Sequence, residues 1–158
     1  GYLVADWSVL SRLMPLKTDG GCGALEQMAL AEYCPDNYAN LVAGIRQILK
    51  GKCEAMAEAL GEQFGAAAEF SMPKGGLYIW VTLPAEVDTD RLTKIAGEQG
   101  VAINPGSEWA ADADYGRRRL RVCFGHPSKQ EIRDGIARLA EICHAEFGVP
   151  LRGANVER

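Results

Sequence analysis

The stretch Leu77-Tyr78-Ile79-Trp80-Val81-Thr82-Leu83 constrains the fold of this chain more than any other. Leu77, Ile79, Val81 and Leu83 alternate with Tyr78, Trp80 and Thr82, and a period of two puts the first set on one face of a β-strand and the second on the other. Pro84 closes the strand, because proline has no amide to give to a ladder. A strand with one apolar face needs a partner strand and a layer to cover it. Leu120, Val122 and Phe124, alternating with Arg119, Arg121 and Cys123, supply the partner. Arg121 is thereby expected to point away from the core-forming side. It is there either as one more charge on a solvated strand face or as a binding group.

Helices supply the covering layer. Pro35-Asp36-Asn37 is expected to stop a helix running from Ala24 to about Tyr33 and to cap a longer one over 36–64. In that longer helix Tyr38, Leu41, Val42, Ile45, Leu49, Cys53, Met56 and Leu60 recur at helical spacing as one apolar stripe. Asp88 caps a helix bearing Leu92, Ile95 and Ala96, which Gly100 ends. Val101–Asn104 reads as a short strand stopped by Pro105-Gly106, followed by a polar loop through Trp109 and Tyr115. Ser128-Lys129-Gln130-Glu131 is a capping box opening a last helix with Ile132, Ile136, Leu139, Cys143 and Phe147 on one face.

Toward the start, Gly1–Ala5 reads as a short buried strand entered without turn or cap, as expected of a piece of something longer. A short helix follows from Asp6, with Asp6 or Ser8 as its cap, and breaks before Pro15. Residues from Gly148 onward have no periodicity and read as a frayed tail. The order of elements predicts an α+β fold: a small domain with a short, mostly antiparallel sheet packed by helices, plus a long connecting helix.

Composition removes several classes of function. With 158 residues, 47% of them hydrophobic, the chain has enough apolar surface for a real core. A formal net charge of -4 argues against a nucleic-acid partner, which requires a basic surface. Five cysteines without a C-x-x-C pair, and two histidines without metal-ligand spacing, predict neither a disulfide framework nor a metal site. Free thiols point to a reducing, cytoplasmic compartment. No apolar run approaches the ~20 residues needed to span a bilayer. The glycine-rich Lys17–Gly23 segment matches neither common phosphate-binding glycine pattern and reads as a connector.

Five segments, in order, carry a family resemblance: Gly1–Ala5, Pro73-Lys74-Gly75-Gly76-Leu77-Tyr78-Ile79-Trp80-Val81, Gly100–Gly106, Leu120-Arg121-Val122-Cys123-Phe124-Gly125, and the helix from Ile132 to Leu139 containing Gly135. Together they resemble the C-terminal portion of class I/II aminotransferases, fold-type I pyridoxal-phosphate enzymes. The nearest group holds 2-aminoadipate and kynurenine aminotransferases and MocR-type regulators.

The resemblance implies a division into residues 1–35 as a remnant of a large domain, 36–64 as the connecting helix, 65–147 as the C-terminal small domain, and 148–158 as a tail. It implies that Arg121 binds the substrate α-carboxylate, with Gly75, Gly76 and Trp109 as pocket neighbours. The family's Schiff-base lysine, phosphate-binding arginine and pyridine-pairing aspartate correspond to positions upstream of Gly1, so no catalytic residue is expected in this chain and Lys17, Lys50, Lys52, Lys74, Lys94 and Lys129 are read as surface residues. The parent protein is accordingly expected to use pyridoxal 5'-phosphate to move an amino group between an amino acid and a 2-oxo acid, as a homodimer. This chain alone is expected to be inactive. The alternative is the effector-sensing, aminotransferase-like half of a MocR-type transcription regulator.

Overall fold

A computed structural model of the chain describes residues 3–152. It divides into two units, Gly1–Val42 and Ala43–Arg158. Helix α1, Trp7–Leu13, belongs to the first. The Asp6 carboxylate accepts from the Ser8 amide at 3.1 Å and caps it, and Pro15 sits in the 3₁₀ turn Met14–Leu16 that ends it. Helix α2, Ala24–Phe64, has its early turns in the first unit and its later turns in the second. Leu3 and Val4 are exposed and form no strand, since no described segment pairs with them, which corrects the buried strand expected there; Gly1 and Tyr2 lie outside the described residues.

The break expected at Pro35-Asp36-Asn37 does not occur: α2 runs through Pro35 without interruption. Proline costs this helix the bond that an amide at 35 would give to the Ala31 carbonyl. Asn37 reinforces the turn, its side-chain Nδ2 donating to the Tyr33 carbonyl at 3.0 Å. Ala31 is exposed, so water can serve its freed carbonyl. The expected stripe is likewise buried only at its end: Tyr38, Leu41 and Ile45 are exposed, Leu49 is half-buried, and Cys53, Met56, Leu60 and Phe64 are in the core. Only these last turns have sheet and helix to pack against.

The second unit is a four-stranded antiparallel sheet with helices over one face, the α+β arrangement expected. Strands β1 (Glu69–Phe70), β2 (Tyr78–Thr82), β3 (Asn104–Pro105) and β4 (Arg119–Cys123) lie in the order β1-β2-β4-β3. Helix α3, Thr89–Glu98, is capped by the Asp88 carboxylate, which accepts from the amides of Asp90 and Arg91. Helix α4, Ala113–Gly116, is a single turn inside the segment read as loop, and α5 is Lys129–Phe147. Both hydrogen bonds of the Ser128/Glu131 capping box are made, as the spacing predicts.

Ile79, Val81, Leu120 and Val122 enter one cluster with Met56, Leu60, Leu92, Ile132, Ile136, Leu139 and Cys143. Leu77 does not; it is 40% exposed, because it precedes the first ladder pair. Val101 is also outside the sheet. Its amide turns back to the Ala96 carbonyl at 2.8 Å and so is taken by the end of α3, which shortens the strand expected at Val101–Asn104 to Asn104–Pro105. Pro105 is tolerated there because β3 is an edge strand.

The frayed tail is corrected too. Gly148 adopts φ 71°, a left-handed cap that sends the chain back toward the sheet, and the Val149 amide bonds the Cys143 carbonyl at 3.3 Å. Val149 is buried, Leu151 packs on the core, and Arg152 donates to the Gly61 carbonyl at 2.7 Å. Residues 153–158 lie outside the described residues.

Candidate carboxylate-binding site

The sheet's second face collects what the helices do not cover. On β4, Arg119, Arg121 and Cys123 are half-buried while Leu120 and Val122 are buried, the alternation expected. Arg121 sits in the centre of the sheet, with Trp80 of β2 as its Cα partner on one side and Asn104 of β3 on the other. Central placement fixes its backbone on both edges.

Two aromatic rings hold its head group. The guanidinium carbon lies 3.3 Å from the ring centre of Trp109 and 3.8 Å from that of Tyr78. At such distances the carbon touches the rings, a separation that suits a guanidinium lying roughly parallel to them. Contacts of this kind contribute about 0.5–2 kcal/mol each, more as they are desolvated. Stacking uses the faces of the cation and leaves its N–H edge free.

That edge is unused by the chain. Among the described residues no carboxylate pairs with Arg121. Its Nε is enclosed without a hydrogen-bond partner, whereas the two terminal nitrogens are not enclosed and bond nothing among the described residues. Leaving a buried donor unpaired costs about 1–3 kcal/mol, which the two stacks offset in part. The neighbouring arginines are spent locally. Arg117 faces Asp88 at 3.5 Å, and Arg119 donates to the Tyr115 carbonyl while lying 3.7 Å from the Tyr115 ring centre.

Trp109, expected beside the pocket, is thus brought onto Arg121. Gly75 and Gly76 are not. They line a separate cavity of about 700 Å³ with Arg46, Lys50, Met72 and Phe124. An added Cβ would meet nothing within 4 Å at either glycine, and it is the positive φ of Gly76, 87°, that demands glycine. Tyr78 is the contact that the sequence alone did not single out. The signal was present, since Tyr78 shares a strand face with Trp80, but only the register of β2 on β4 sets it diagonally across from Arg121.

Four of the six lysines have contacts of their own. Lys17 pairs with Asp19, Lys50 faces Glu54 at 3.9 Å, and Lys129 lies over Gly51. Lys52 is half-buried rather than a free surface residue, tying α2 to the loop after β4 through the carbonyls of Gly125 (3.0 Å) and His126 (3.2 Å). No lysine is presented to Arg121 by any of these contacts. Among the described residues there is also no group of three potential metal ligands, and no helix long and apolar enough to cross a membrane.

The chain is similar to known proteins in sequence and fold. The chain is 34% identical over 150 residues to aromatic-amino-acid aminotransferase 1 of Thermococcus litoralis, covering 93% of this chain and 36% of that protein. It is 29% identical over 143 residues to the uncharacterized HTH-type transcriptional regulator YdfD of Bacillus subtilis, covering 88% of this chain and 29% of the regulator. The crystal structure of LysN, the alpha-aminoadipate aminotransferase of Thermus thermophilus complexed with N-(5'-phosphopyridoxyl)-L-leucine, superposes with a TM-score of 0.73 at 26% identity, over 90% of this chain and 37% of that one. The chain therefore spans about a third of the length of the relatives it matches. The family model for aminotransferase class I and II matches residues 1–139. With this match running through most of the chain, the protein belongs to the class I and II aminotransferase family.

Proposed function

We propose that this chain is the carboxylate-gripping part of a pyridoxal-phosphate-dependent aminotransferase that moves an amino group between an amino acid and a 2-oxo acid. The observation that carries the reading is Arg121: a guanidinium stacked on two rings, with open terminal nitrogens and no acid of its own among the described residues. A planar fork of this kind holds a carboxylate by two parallel hydrogen bonds, and amino acid and oxo acid present the same carboxylate. Pyridoxal phosphate supplies the electron sink for such reactions. In this reading this chain's share of the work is to bind and orient substrate.

In this reading Trp109 is the pocket neighbour of Arg121, while Gly75 and Gly76 shape a cavity of their own. The division into residues 1–35, 36–64, 65–147 and 148–158 is proposed for the whole protein, with α2 continuous across its first boundary. Exposed Trp7, Leu16, Leu25 and Met28 support a setting in which a large domain and a second subunit of a homodimer cover this surface. The free cysteines support a cytoplasmic location.

The test is Arg121→Ala and Arg121→Lys against Arg118→Ala in the full-length protein. A charge-assisted pair is worth about 1.5–3 kcal/mol, so kcat/KM should fall roughly tenfold to a hundredfold with both amino acid and oxo acid in the Arg121 variants. Equal, near-parental activity of Arg121→Ala and Arg118→Ala would sink the assignment. The likeness to the Bacillus subtilis regulator favours a second reading, an effector-sensing domain. In that case the parent protein binds amino acid through Arg121 without turning it over.

A further inference from the structure

We infer that Trp109 is a positioning residue that fixes the Arg121 fork for end-on capture of a carboxylate, and that the Gly106/Gly116 contact holds Trp109 in place. This deepens the functional reading above and rests on it. An unsupported arginine side chain has four rotatable bonds and must be ordered each time substrate binds. Here the head group is already stacked at 3.3 Å on Trp109 and 3.8 Å on Tyr78.

The same stack decides the geometry of capture. Nε is enclosed, so a carboxylate cannot use the side edge formed by Nε and one terminal nitrogen; it must meet the two terminal nitrogens. A partner approaching a stacked face meets a ring. The site therefore selects a planar anion arriving in the guanidinium plane, which suits a carboxylate better than a tetrahedral phosphate.

Tyr78 is positioned by its own strand, but Trp109 sits on the loop between β3 and β4, 53% exposed, and needs an anchor. The anchor is backbone on backbone. A Cβ on Gly106 would lie 2.5 Å from the Gly116 carbonyl oxygen and 2.6 Å from that of Arg119, and a Cβ on Gly116 would lie 2.5 Å from the Ser107 amide nitrogen. The loop is thus pinched at both ends. The Trp109 and Ala110 amides return to the Gly106 carbonyl at 3.0 and 2.9 Å, which aims the indole from the pinch.

The experiment compares full-length parent, Trp109→Ala, Trp109→Leu, Trp109→Phe and Arg121→Ala, measuring kcat and KM for an amino acid and its 2-oxo acid, with unfolding midpoints for each. Loss of the stack should raise both KM values about tenfold in the Ala and Leu variants with kcat within about threefold, and Phe should restore KM to within about threefold. A role in packing alone would be met by Leu. Parental KM in Trp109→Leu, or a fall in kcat at constant KM, overturns the inference, and Leu keeps the test alive if Trp109→Ala fails to fold. Loss of activity in Arg121→Ala beside parental Trp109 variants removes this inference only. Parental activity in Arg121→Ala removes the functional reading with it.

Discussion

Gly106 and Gly116 touch backbone to backbone: a Cβ on Gly106 would stand 2.5 Å from the carbonyl oxygen of Gly116, closer than real side chains approach. Both residues are buried, and the nine residues between them carry Trp109 to Arg121. The contact joins the end of β3 to the start of β4, so one steric requirement serves both the fold and the site.

Replacing Gly116 by Ala should therefore force the two backbones apart. Overpacking of this kind costs about 1–3 kcal/mol. Denaturant unfolding gives the stability, and tryptophan emission should shift as the indole leaves the cation. An unchanged midpoint together with an unchanged spectrum would mean that the two backbones are free to part without loss.

Ile79 and Leu77 form a matched pair of tests. Ile79 is 1% exposed inside the main cluster, while Leu77 is 40% exposed before the ladder begins. Ile79→Ala should cost about 2–5 kcal/mol and Leu77→Ala under about 1.5 kcal/mol. Equal losses in urea titrations would mean that β2 does not pair with β4 in the register Ile79 to Val122.

Asp88 makes stability depend on acid pH. Its carboxyl is held below the ordinary carboxylate range, first by the Arg91 amide and then by the Asp90 amide and the nearby Arg117. A folded-state value below the unfolded one means that the carboxylate stabilises the fold above the unfolded value of about 3.9, and that this is lost as pH falls through the lower, folded value. Asp88→Ala should cost about 1 kcal/mol at pH 7 and almost nothing below both values. A difference that persists undiminished in strong acid would mean that the cap works through something other than its charge.

Thiol labelling should follow burial. Burial pushes the Cys143 thiol up to about 12, and Cys53 is also raised by burial, whereas Cys22 is exposed. The thiolate is the reacting form, so iodoacetamide should modify Cys22 at neutral pH while Cys143 and Cys53 stay protected until the chain is unfolded. Mass spectrometry of native and urea-treated protein reads the order directly. Early labelling of Cys143 would contradict the packing of α5 on the sheet.

What the sequence determined by itself is what a few neighbouring residues decide. Alternation assigned Ile79, Val81, Leu120 and Val122 to the core and Arg121 to the other face, because side chains on a strand alternate whatever lies beyond. Asp6, Asp88 and the Ser128/Glu131 pair marked helix starts because a cap satisfies amides only two or three residues away. The family resemblance supplied the role proposed for Arg121, which no local pattern contains. Tertiary structure alone decided the rest. Whether α2 stops at Pro35, whether Val149 docks or frays, and which rings meet the guanidinium are settled by groups distant in sequence. Tyr78 and Trp109 reach Arg121 from 43 and 12 positions away, through a ladder register and a pinched loop. Such contacts depend on the packing of whole elements against one another, and that energy is not written in any single stretch of the chain.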